Sequence, residues 1–335
     1  MDYLELHRGS VVVDTHCDTL KCLMPVFTRP RDSMWADRSK VGMVARSSLG
    51  HIDVPRLLEG GVTCQVFAIS GERGRTPSHS VRTALEMIGR FYAECEANPD
   101  AVVPVTRSSE IAEAKRAGRV AAMLSIEGCD VLEGSIEMLQ VFHRLGVRMV
   151  GLVHSARNEL ADGIADMRTG GRLSEMGAQA VGELNRLGVV VDVSHLNDEG
   201  FWDVMELTRA HVIASHSNCR AVCDHPRNMT DDMIRALAGN GGVMGMNFAP
   251  AFVHPTKATL EAVVDHIDHV VELVGPGHVG LGSDFDGIPS TPAGLEDATR
   301  IPCITAELLK RGYTEDDVRK ILGGNHMRLI KHVCD

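Results

Sequence analysis

A short pattern recurs along the chain and limits the fold more than any other feature. A segment with helical character ends in glycine, and a run of β-branched and other apolar residues follows. Glycine ends helices because it adopts the left-handed C-cap conformation without steric cost. The runs are apolar nearly throughout instead of alternating, which is typical of parallel strands buried on both faces. The clearest runs are 62–69, 120–126, 147–153, 189–193 and 243–248.

Three further runs, 11–14, 212–215 and 279–283, bring the candidate strands to eight. Apolar spacings of three and four, with capping residues, predict helices between them. These helices are Ser109–Ala117, Ile136–Leu145, Glu175–Leu187 and Asp231–Ala238. Eight strands alternating with helices predict an α/β fold of the (β/α)8 TIM-type barrel. An open doubly wound sheet is the alternative, but no GxGxxG sequence follows the first strand to support it.

The length of the chain allows one large domain. It has 335 residues, of which 44% are hydrophobic, and such barrels commonly reach about 250 residues or more. No linker is evident, so we expect residues 1–335 to form a single barrel domain. The segment 24–49, rich in Arg, Asp, Ser and Pro, follows the first strand and predicts a long active-site loop insertion.

Charge and terminal sequences exclude several classes of partner. The net charge of −11 and a pI of about 5.8 argue against nucleic acid or an anionic membrane as partner. No segment approaches the roughly 20 apolar residues of a membrane helix, and neither end has a signal-peptide or anchor pattern. The nine cysteines include no CxxC pair, which favours free thiols in a reducing compartment. We therefore expect a cytoplasmic protein.

The ends of the predicted strands carry the residues with metal-binding chemistry. In a (β/α)8 barrel the catalytic groups lie at the C-terminal ends of the strands, and six of the eight end in such residues. They are His16, Asp18, Glu127, His154, His195, His216 and Asp284. A single histidine at a strand end is more often structural. Buried imidazoles and carboxylates cost several kcal/mol unless they are paired or metal-bound, so seven at one rim predict a metal site.

The number of candidate ligands indicates two metals. His16, Asp18, Glu127, His195 and His216 make five ligands, whereas one zinc takes about four. Two metals about 3.5–4 Å apart share a bridging carboxylate and a bridging water. Glu127 is the natural bridge, since it has two oxygens and stands alone on its strand. We expect His16, Asp18 and Glu127 on one metal, and Glu127, His195 and His216 on the other.

A set of short motifs, taken in order along nearly the whole chain, resembles the membrane dipeptidase (renal dipeptidase) family of the amidohydrolase superfamily. The motifs are Asp14-x-His16-x-Asp18, Glu127-Gly128, His154, Ser194-His195, Ser215-His216-Ser217, His225-Pro226-Arg227-Asn228, Gly282-Ser283-Asp284-Phe285-Asp286-Gly287 and Gly323-Gly324-Asn325. The family's first motif usually reads Asp-Gly-His-Asn-Asp-Leu-Pro. Here Thr15, Cys17 and Thr19 differ, and Leu20 is not followed by proline. The ligands are kept, so the departure bears on the substrate preference.

The resemblance implies a zinc-dependent dipeptidase with two Zn²⁺ ions per chain, in which a metal-bridging hydroxide attacks the peptide bond of a dipeptide. In family terms, His154 binds the oxyanion side of the substrate. Asp284 takes the proton of the water and passes it to the leaving amine, and Arg227 binds the substrate's α-carboxylate. Dipeptides of the L-Xaa-D-Xaa type are one candidate substrate class. The resemblance also implies a bacterial-type soluble form and a homodimer.

Two other functions remain as alternatives. Another amidohydrolase, acting on a lactone, an amide or a phosphoester, usually begins with His-x-His and often carries a bridging lysine at strand four. This chain has His-x-Asp on its first strand and ends strand four in His154. An inactive metal-binding relative would be favoured by loss of Asp284 or of a ligand, and none is lost.

Overall fold

The computed structural model of the protein describes residues 2–24, 37–71 and 80–335. Within these residues the chain forms nine strands, and every strand pairing is parallel. The strands are β1 (Val13–Cys17), β2 (Cys64–Ile69), β3 (Val102–Pro104), β4 (Val120–Glu127), β5 (Val147–Gly151), β6 (Val190–Asp192), β7 (Ile213–Ser217), β8 (Val243–Met246) and β9 (Val279–Leu281).

Eight of these strands close into a barrel. Around the ring the order is β1, β2, β4, β5, β6, β7, β8 and β9, and β9 pairs back with β1 through Leu281 and Asp14. The remaining strand, β3, pairs with the first half of β4, where Val102 lies opposite Val120. The predicted (β/α)8 barrel is therefore confirmed. The short β3 was not predicted, because its three residues are too few to show a periodicity.

Helices separate most of the strands. In the described residues they are α1 (Tyr3–Gly9), α2 (Thr19–Leu23), α3 (Val54–Glu59), α4 (Ser80–Ala97), α5 (Ser108–Arg116), α6 (Met138–Arg144), α7 (Glu175–Leu187), α8 (Asp198–Leu207), α9 (Asp231–Gly239), α10 (Pro250–Val253), α11 (Leu260–Val274), α12 (Pro302–Lys310), α13 (Glu315–Arg319) and α14 (Asn325–Cys334). The four predicted helices appear as α5, α6, α7 and α9. The side chain of Thr230 accepts a hydrogen bond from Met233 N and so caps α9 as expected. No helix of the described residues is both long enough and apolar enough to span a bilayer.

The inside of the barrel is apolar at the end where the strands begin. Residues from successive strands, among them Val13, Val66 and Met123, form one buried cluster there, which also includes Leu329 and Ile330 of α14. The α14 helix thus closes the N-terminal end of the barrel with hydrocarbon. The polar groups that carry function are expected at the opposite end of the barrel, at the C-terminal ends of the strands.

The part of the predicted 24–49 insertion from residue 25 to residue 36 lies outside the described residues, and 37–49 contains no helix or strand. This second part is tied to the barrel by Arg38, which is fully buried. Its guanidinium donates hydrogen bonds to the carbonyl oxygens of Ile52 and Gly42, and it lies 3.8 Å from the carboxylate of Asp286. The loop after β1 and the loop after β9 are therefore joined through a buried charge pair.

Two glycines allow an unusually close approach to the backbone of β7. A Cβ atom on Gly245 or on Gly282 would collide with the carbonyl oxygen of Ser215. Glycine is required at both positions because it has no Cβ. Their neighbour Ser215 directly precedes His216, one of the predicted ligands, so this packing fixes the backbone at that ligand.

Candidate active site

The seven residues predicted from the strand ends lie together at the C-terminal rim of the barrel. Their ligand atoms form three overlapping groups, and within each group the atoms lie within 4.8 Å of one another. The groups are His16, Glu127 and His216; Glu127, His154 and His195; and His16, Asp18 and Asp284. Such a convergence of imidazoles and carboxylates can hold a divalent metal ion.

Glu127, the last residue of β4, is at the centre of the cluster and is 6% exposed. Four imidazole nitrogens surround one of its carboxylate oxygens. The Oε1 atom lies 3.2 Å from Nε2 of His195, 3.5 Å from Nε2 of His16, 3.7 Å from Nε2 of His216 and 3.7 Å from Nε2 of His154. This places the predicted bridging residue where the two predicted ligand sets meet.

Several imidazole nitrogens of the cluster are placed where a bound cation would satisfy them. Nε2 of His16 is buried and has no hydrogen-bond partner among the described residues, and it lies 3.8 Å from Oδ2 of Asp18. Nε2 of His195 and Nε2 of His216 face each other at 2.9 Å. Buried polar atoms are rarely left without a partner, and imidazole nitrogen with carboxylate oxygen is a donor set suited to zinc. The residues present therefore fit the expected metal.

The electrostatics keep Glu127, His195 and His216 in the forms that bind metal. Burial, with the charge of Arg227, lowers the pKa of His195 well below its ordinary value. Burial and the charge of His16 do the same to the pKa of His216. Burial acts to raise the pKa of Glu127, but the charges of Lys21, His154 and His16 outweigh it and hold this pKa well below its usual range. Neutral imidazoles and an ionised carboxylate are the ligand forms of these groups. At His16 burial acts to lower the pKa, but the negative charges of Glu127, Asp18 and Asp284 outweigh it and raise this pKa to about 9, so a bound metal would replace the proton of that ring.

Asp284 lies beside the cluster in a turn after β9. Its Oδ1 is 3.9 Å from Nε2 of His16, and its Oδ2 accepts a hydrogen bond of 3.0 Å from the side-chain amide of Asn247. Burial raises its pKa to about 7, with the charges of Asp18 and Glu127 adding to the effect and that of His16 opposing it. A carboxylate with such a pKa is suited to accept and return a proton near neutral pH.

The backbone at two of these residues is in a conformation that side chains rarely adopt. His195 has φ of 71° and Asp284 has φ of 63°, both in the left-handed region. Strain of this kind is tolerated where the surroundings fix it and is concentrated at functional sites. Asp14 supplies part of that fixation at Asp284, because its carboxylate accepts hydrogen bonds from the N–H (2.8 Å) and the hydroxyl (2.6 Å) of Ser283.

Arg227 places a buried positive charge next to the histidines. The residue is 4% exposed, and its guanidinium donates to Oγ of Ser217 at 3.0 Å and to the carbonyl of His216 at 2.9 Å. Its Nε atom is buried and has no hydrogen-bond partner among the described residues. The Nε–H group of this cation is thus a hydrogen-bond donor without an acceptor among these residues, and an anionic group of a substrate can accept a hydrogen bond from it.

His154 differs from the other histidines of the cluster in its exposure. Its side chain is 54% exposed, whereas that of His195 is 9% exposed and that of His216 is 1% exposed. The His154 ring lies 4.5 Å from the ring of His195. It is therefore at the open side of the cluster.

Two residues of the site were missed by the sequence reasoning. Lys21 of α2 has its Nζ 3.0 Å from Oε2 of Glu127 and forms an ion pair with Asp18, three residues before it. Asn247 follows β8 directly, and its side-chain amide donates a hydrogen bond to the carboxylate of Asp284. Neither an ammonium nor an amide is a usual ligand of zinc, so a pattern of metal-ligand residues does not include them. The available signals were the i, i+3 spacing of Asp18 and Lys21 and a polar residue at the end of the seventh predicted strand.

Comparison with known proteins agrees with this geometry. The sequence model of the family described as membrane dipeptidase (peptidase family M19) matches residues 2–335. The chain is 37% identical over 297 residues to "Dipeptidase aclJ" of Aspergillus oryzae, covering 85% of this chain and 70% of that protein. It is 32% identical over 347 residues to an "Uncharacterized dipeptidase C965.12" of Schizosaccharomyces pombe, covering 98% and 82%.

Solved structures show the same relationship. The crystal structure of the dipeptidase AC, a metallopeptidase of family M19, superposes with a TM-score of 0.87 at 29% identity, covering 97% of this chain and 99% of that one. A metallopeptidase of Rhodobacter sphaeroides, liganded with a phosphinate mimic of the dipeptide L-Ala-D-Ala, superposes with a TM-score of 0.86 at 29% identity and the same coverage. The chain therefore belongs to the membrane dipeptidase family of metallopeptidases, peptidase family M19.

Proposed function

We propose that the protein is a zinc-dependent dipeptidase with a binuclear centre. The observation that carries the proposal is the position of Glu127, whose Oε1 lies within 3.7 Å of Nε2 of the predicted ligands His16, His195 and His216. One metal would be held by His16, Asp18 and Glu127. The other would be held by Glu127, His195 and His216. When bound, such a pair lowers the pKa of a bridging water and polarises a carbonyl oxygen.

Residues around this centre carry out proton transfer and bind the carbonyl oxygen of the substrate. Asp284 accepts the proton of the attacking water at Oδ1, which faces the cluster, while Asn247 holds its Oδ2. It then returns that proton to the leaving amine. His154, at the open side, binds the carbonyl oxygen of the substrate as negative charge develops there.

Arg227 binds the free carboxylate of the substrate. Its unpartnered Nε and its burial beside His216 support this role, since a desolvated guanidinium binds carboxylate strongly. A carboxylate held by Arg227 would place the scissile bond one residue from the C-terminus of the substrate, and the relatives named as dipeptidases support dipeptides within that class. Dipeptides are therefore the proposed substrates. The phosphinate bound to the Rhodobacter sphaeroides relative supports L-Xaa-D-Xaa dipeptides as the preferred class.

The proposal is tested with a small panel of peptides and the zinc-loaded protein. The panel contains L-Ala-L-Ala, L-Ala-D-Ala, the C-terminal amide of L-Ala-D-Ala and a tripeptide. We expect hydrolysis of the dipeptides, fastest for L-Ala-D-Ala, and little hydrolysis of the amide or the tripeptide. Turnover of a lactone or a phosphoester with no dipeptide hydrolysis would overturn the proposal in favour of another amidohydrolase activity.

A further inference from the structure

A chain of buried hydrogen bonds runs from Asp192 to the imidazole of His216. Asp192 is the last residue of β6, and its Oδ1 accepts hydrogen bonds from the backbone N–H of Ser194 at 3.0 Å and of Ser215 at 2.9 Å. Its Oδ2 accepts a hydrogen bond of 2.5 Å from the hydroxyl of Ser215. The same hydroxyl oxygen lies 2.7 Å from Nδ1 of His216. All three side chains in this chain of contacts are buried.

The number of protons fixes the direction of these bonds. An ionised carboxylate only accepts hydrogen bonds, and a serine hydroxyl has one proton to donate. Because Ser215 donates that proton to Asp192, its oxygen can only accept from His216. Nδ1 of His216 must then carry the imidazole proton, and Nε2 is left with its lone pair. That lone pair lies on the side of Glu127, whose Oε1 is 3.7 Å from Nε2.

We propose that Asp192 is a positioning residue of the metal centre, which acts through Ser215 to hold His216 in the tautomer whose Nε2 is free to bind metal. The inference rests on the binuclear centre proposed above. Partners beyond the ligands commonly fix the ring orientation and tautomer of metal-binding histidines. In this site the carboxylate reaches the imidazole through a hydroxyl.

The other histidine predicted on the same metal has no comparable contact. Nδ1 of His195 lies 3.5 Å from Oγ of Ser155, which is at the outer limit of a hydrogen bond. Ser155 is only half-buried. The tautomer of His216 is thus fixed by a buried charge, whereas that of His195 is not fixed in this way. The effect of Asp192 should therefore be confined to the metal that His216 binds.

Two variants separate this role from a structural one. In D192N, the amide oxygen can still accept from both backbone N–H groups, so the turn is kept. Its amide N–H donates to Ser215, the serine proton turns to Nδ1 of His216, and the imidazole proton is forced onto Nε2. In S215A the link is cut, while the charge of Asp192 and its two backbone bonds remain.

S125A is the matched control. Ser125 is also a buried serine of a barrel strand, with its hydroxyl 3.4 Å from the carbonyl of Phe67. Within the described part of the chain its hydroxyl makes no hydrogen bond to a predicted ligand, so the loss of that hydroxyl should leave the metal centre unchanged.

Two measurements test the proposal. The first is the affinity for each Zn²⁺, measured by competition with a chromophoric chelator. We expect D192N and S215A to bind one of the two zinc ions about 10–100-fold more weakly, with the other ion and S125A unaffected. The second is the ¹⁵N spectrum of histidine-labelled protein stripped of metal, with His216 assigned by its loss in H216N. Wild type should show the Nδ1–H tautomer, and D192N the Nε2–H tautomer.

The outcomes distinguish this inference from the proposed function. Two zinc ions bound by wild type, D192N and S215A with equal affinities, or the same His216 tautomer in wild type and D192N, would overturn the role of Asp192 and leave the dipeptidase proposal intact. Wild type that binds no zinc would overturn both.

Discussion

The Nζ atom of Lys21 lies 3.0 Å from Oε2 of Glu127, and the same ammonium forms an ion pair with Asp18. A cation supplied by the protein thus contacts both carboxylates that are predicted to bind one metal with His16. The charges of Asp18 and Glu127 raise the pKa of Lys21 above its ordinary value although burial opposes them, so the side chain is charged at any pH of interest. We therefore expect metal and ammonium to compete for the same two carboxylates.

Replacing this lysine should change metal affinity and stability in opposite directions. We expect K21M to bind Zn²⁺ more tightly at the site of His16, Asp18 and Glu127, because no ammonium competes. The metal-stripped variant should lose about 3–5 kcal/mol of stability, since buried carboxylates are left without their cation. Chelator competition and urea unfolding measure the two effects. K310M, which removes an exposed lysine, is the control; weaker zinc binding by K21M would show that Lys21 supports the ligands instead of competing.

Replacing Asp284 should lower kcat strongly and should leave the metal content of the protein nearly unchanged. It is near the cluster, but the two predicted ligand sets are complete without it. D284N keeps the hydrogen-bonding shape of the side chain and removes the base, and the loss of general base catalysis typically costs 10²–10⁴-fold in kcat. Metal analysis and dipeptide kinetics of the same preparation check both statements. A D284N variant with more than one-tenth of the wild-type kcat would place the base elsewhere.

Arg227 should determine whether the enzyme recognises the carboxylate of its substrate. Wild type should hydrolyse a dipeptide far better than its C-terminal amide, whereas R227M should treat the two alike. Loss of one partner of a buried charge pair costs about 2 kcal/mol or more, which corresponds to a rise of roughly 30-fold in KM. The zinc content should be unchanged. Retention of the preference for the free carboxylate in R227M would exclude Arg227 as the binding group.

His266 should make the protein less stable in mild acid. It is fully buried in α11, where Nδ1 accepts from the backbone N–H of Cys219 and Nε2 donates to the carbonyl of Val253. Burial lowers its pKa from 6.5 to about 4. Below pH 6.5 this histidine is therefore protonated in the unfolded chain but stays neutral in the folded protein. The free energy of unfolding falls with pH until about pH 4, where the histidine of the folded protein is protonated as well. This histidine accounts for about 3 kcal/mol of that loss.

The comparison of wild type with H266Q isolates this contribution, because glutamine does not titrate. Urea unfolding of the metal-stripped proteins at pH 7 and pH 4.5 should show a smaller drop in the free energy of unfolding for H266Q. Equal drops in the two proteins would assign the acid sensitivity to other groups.

The barrel was predictable because its signal is local and repeated. Each glycine followed by an apolar run marks a helix end and a buried strand, and the ligands follow from where those strands finish. Lys21 and Asn247 were not predictable in this way, since their roles depend on which groups the closed barrel brings next to them. The tautomer of His216 likewise depends on Asp192, which lies on the neighbouring strand. The cytoplasmic location, the single domain and the homodimer stay predictions.

The most direct test of the account is a zinc titration of the metal-stripped protein, followed by hydrolysis of the dipeptide that it cleaves fastest in the panel. The account predicts no hydrolysis without metal and a rate that reaches its maximum at two equivalents of zinc per chain. E127Q, which weakens the shared ligand, should need a large excess of zinc. A rate that is already maximal at one equivalent, or that does not depend on metal, would contradict the binuclear centre.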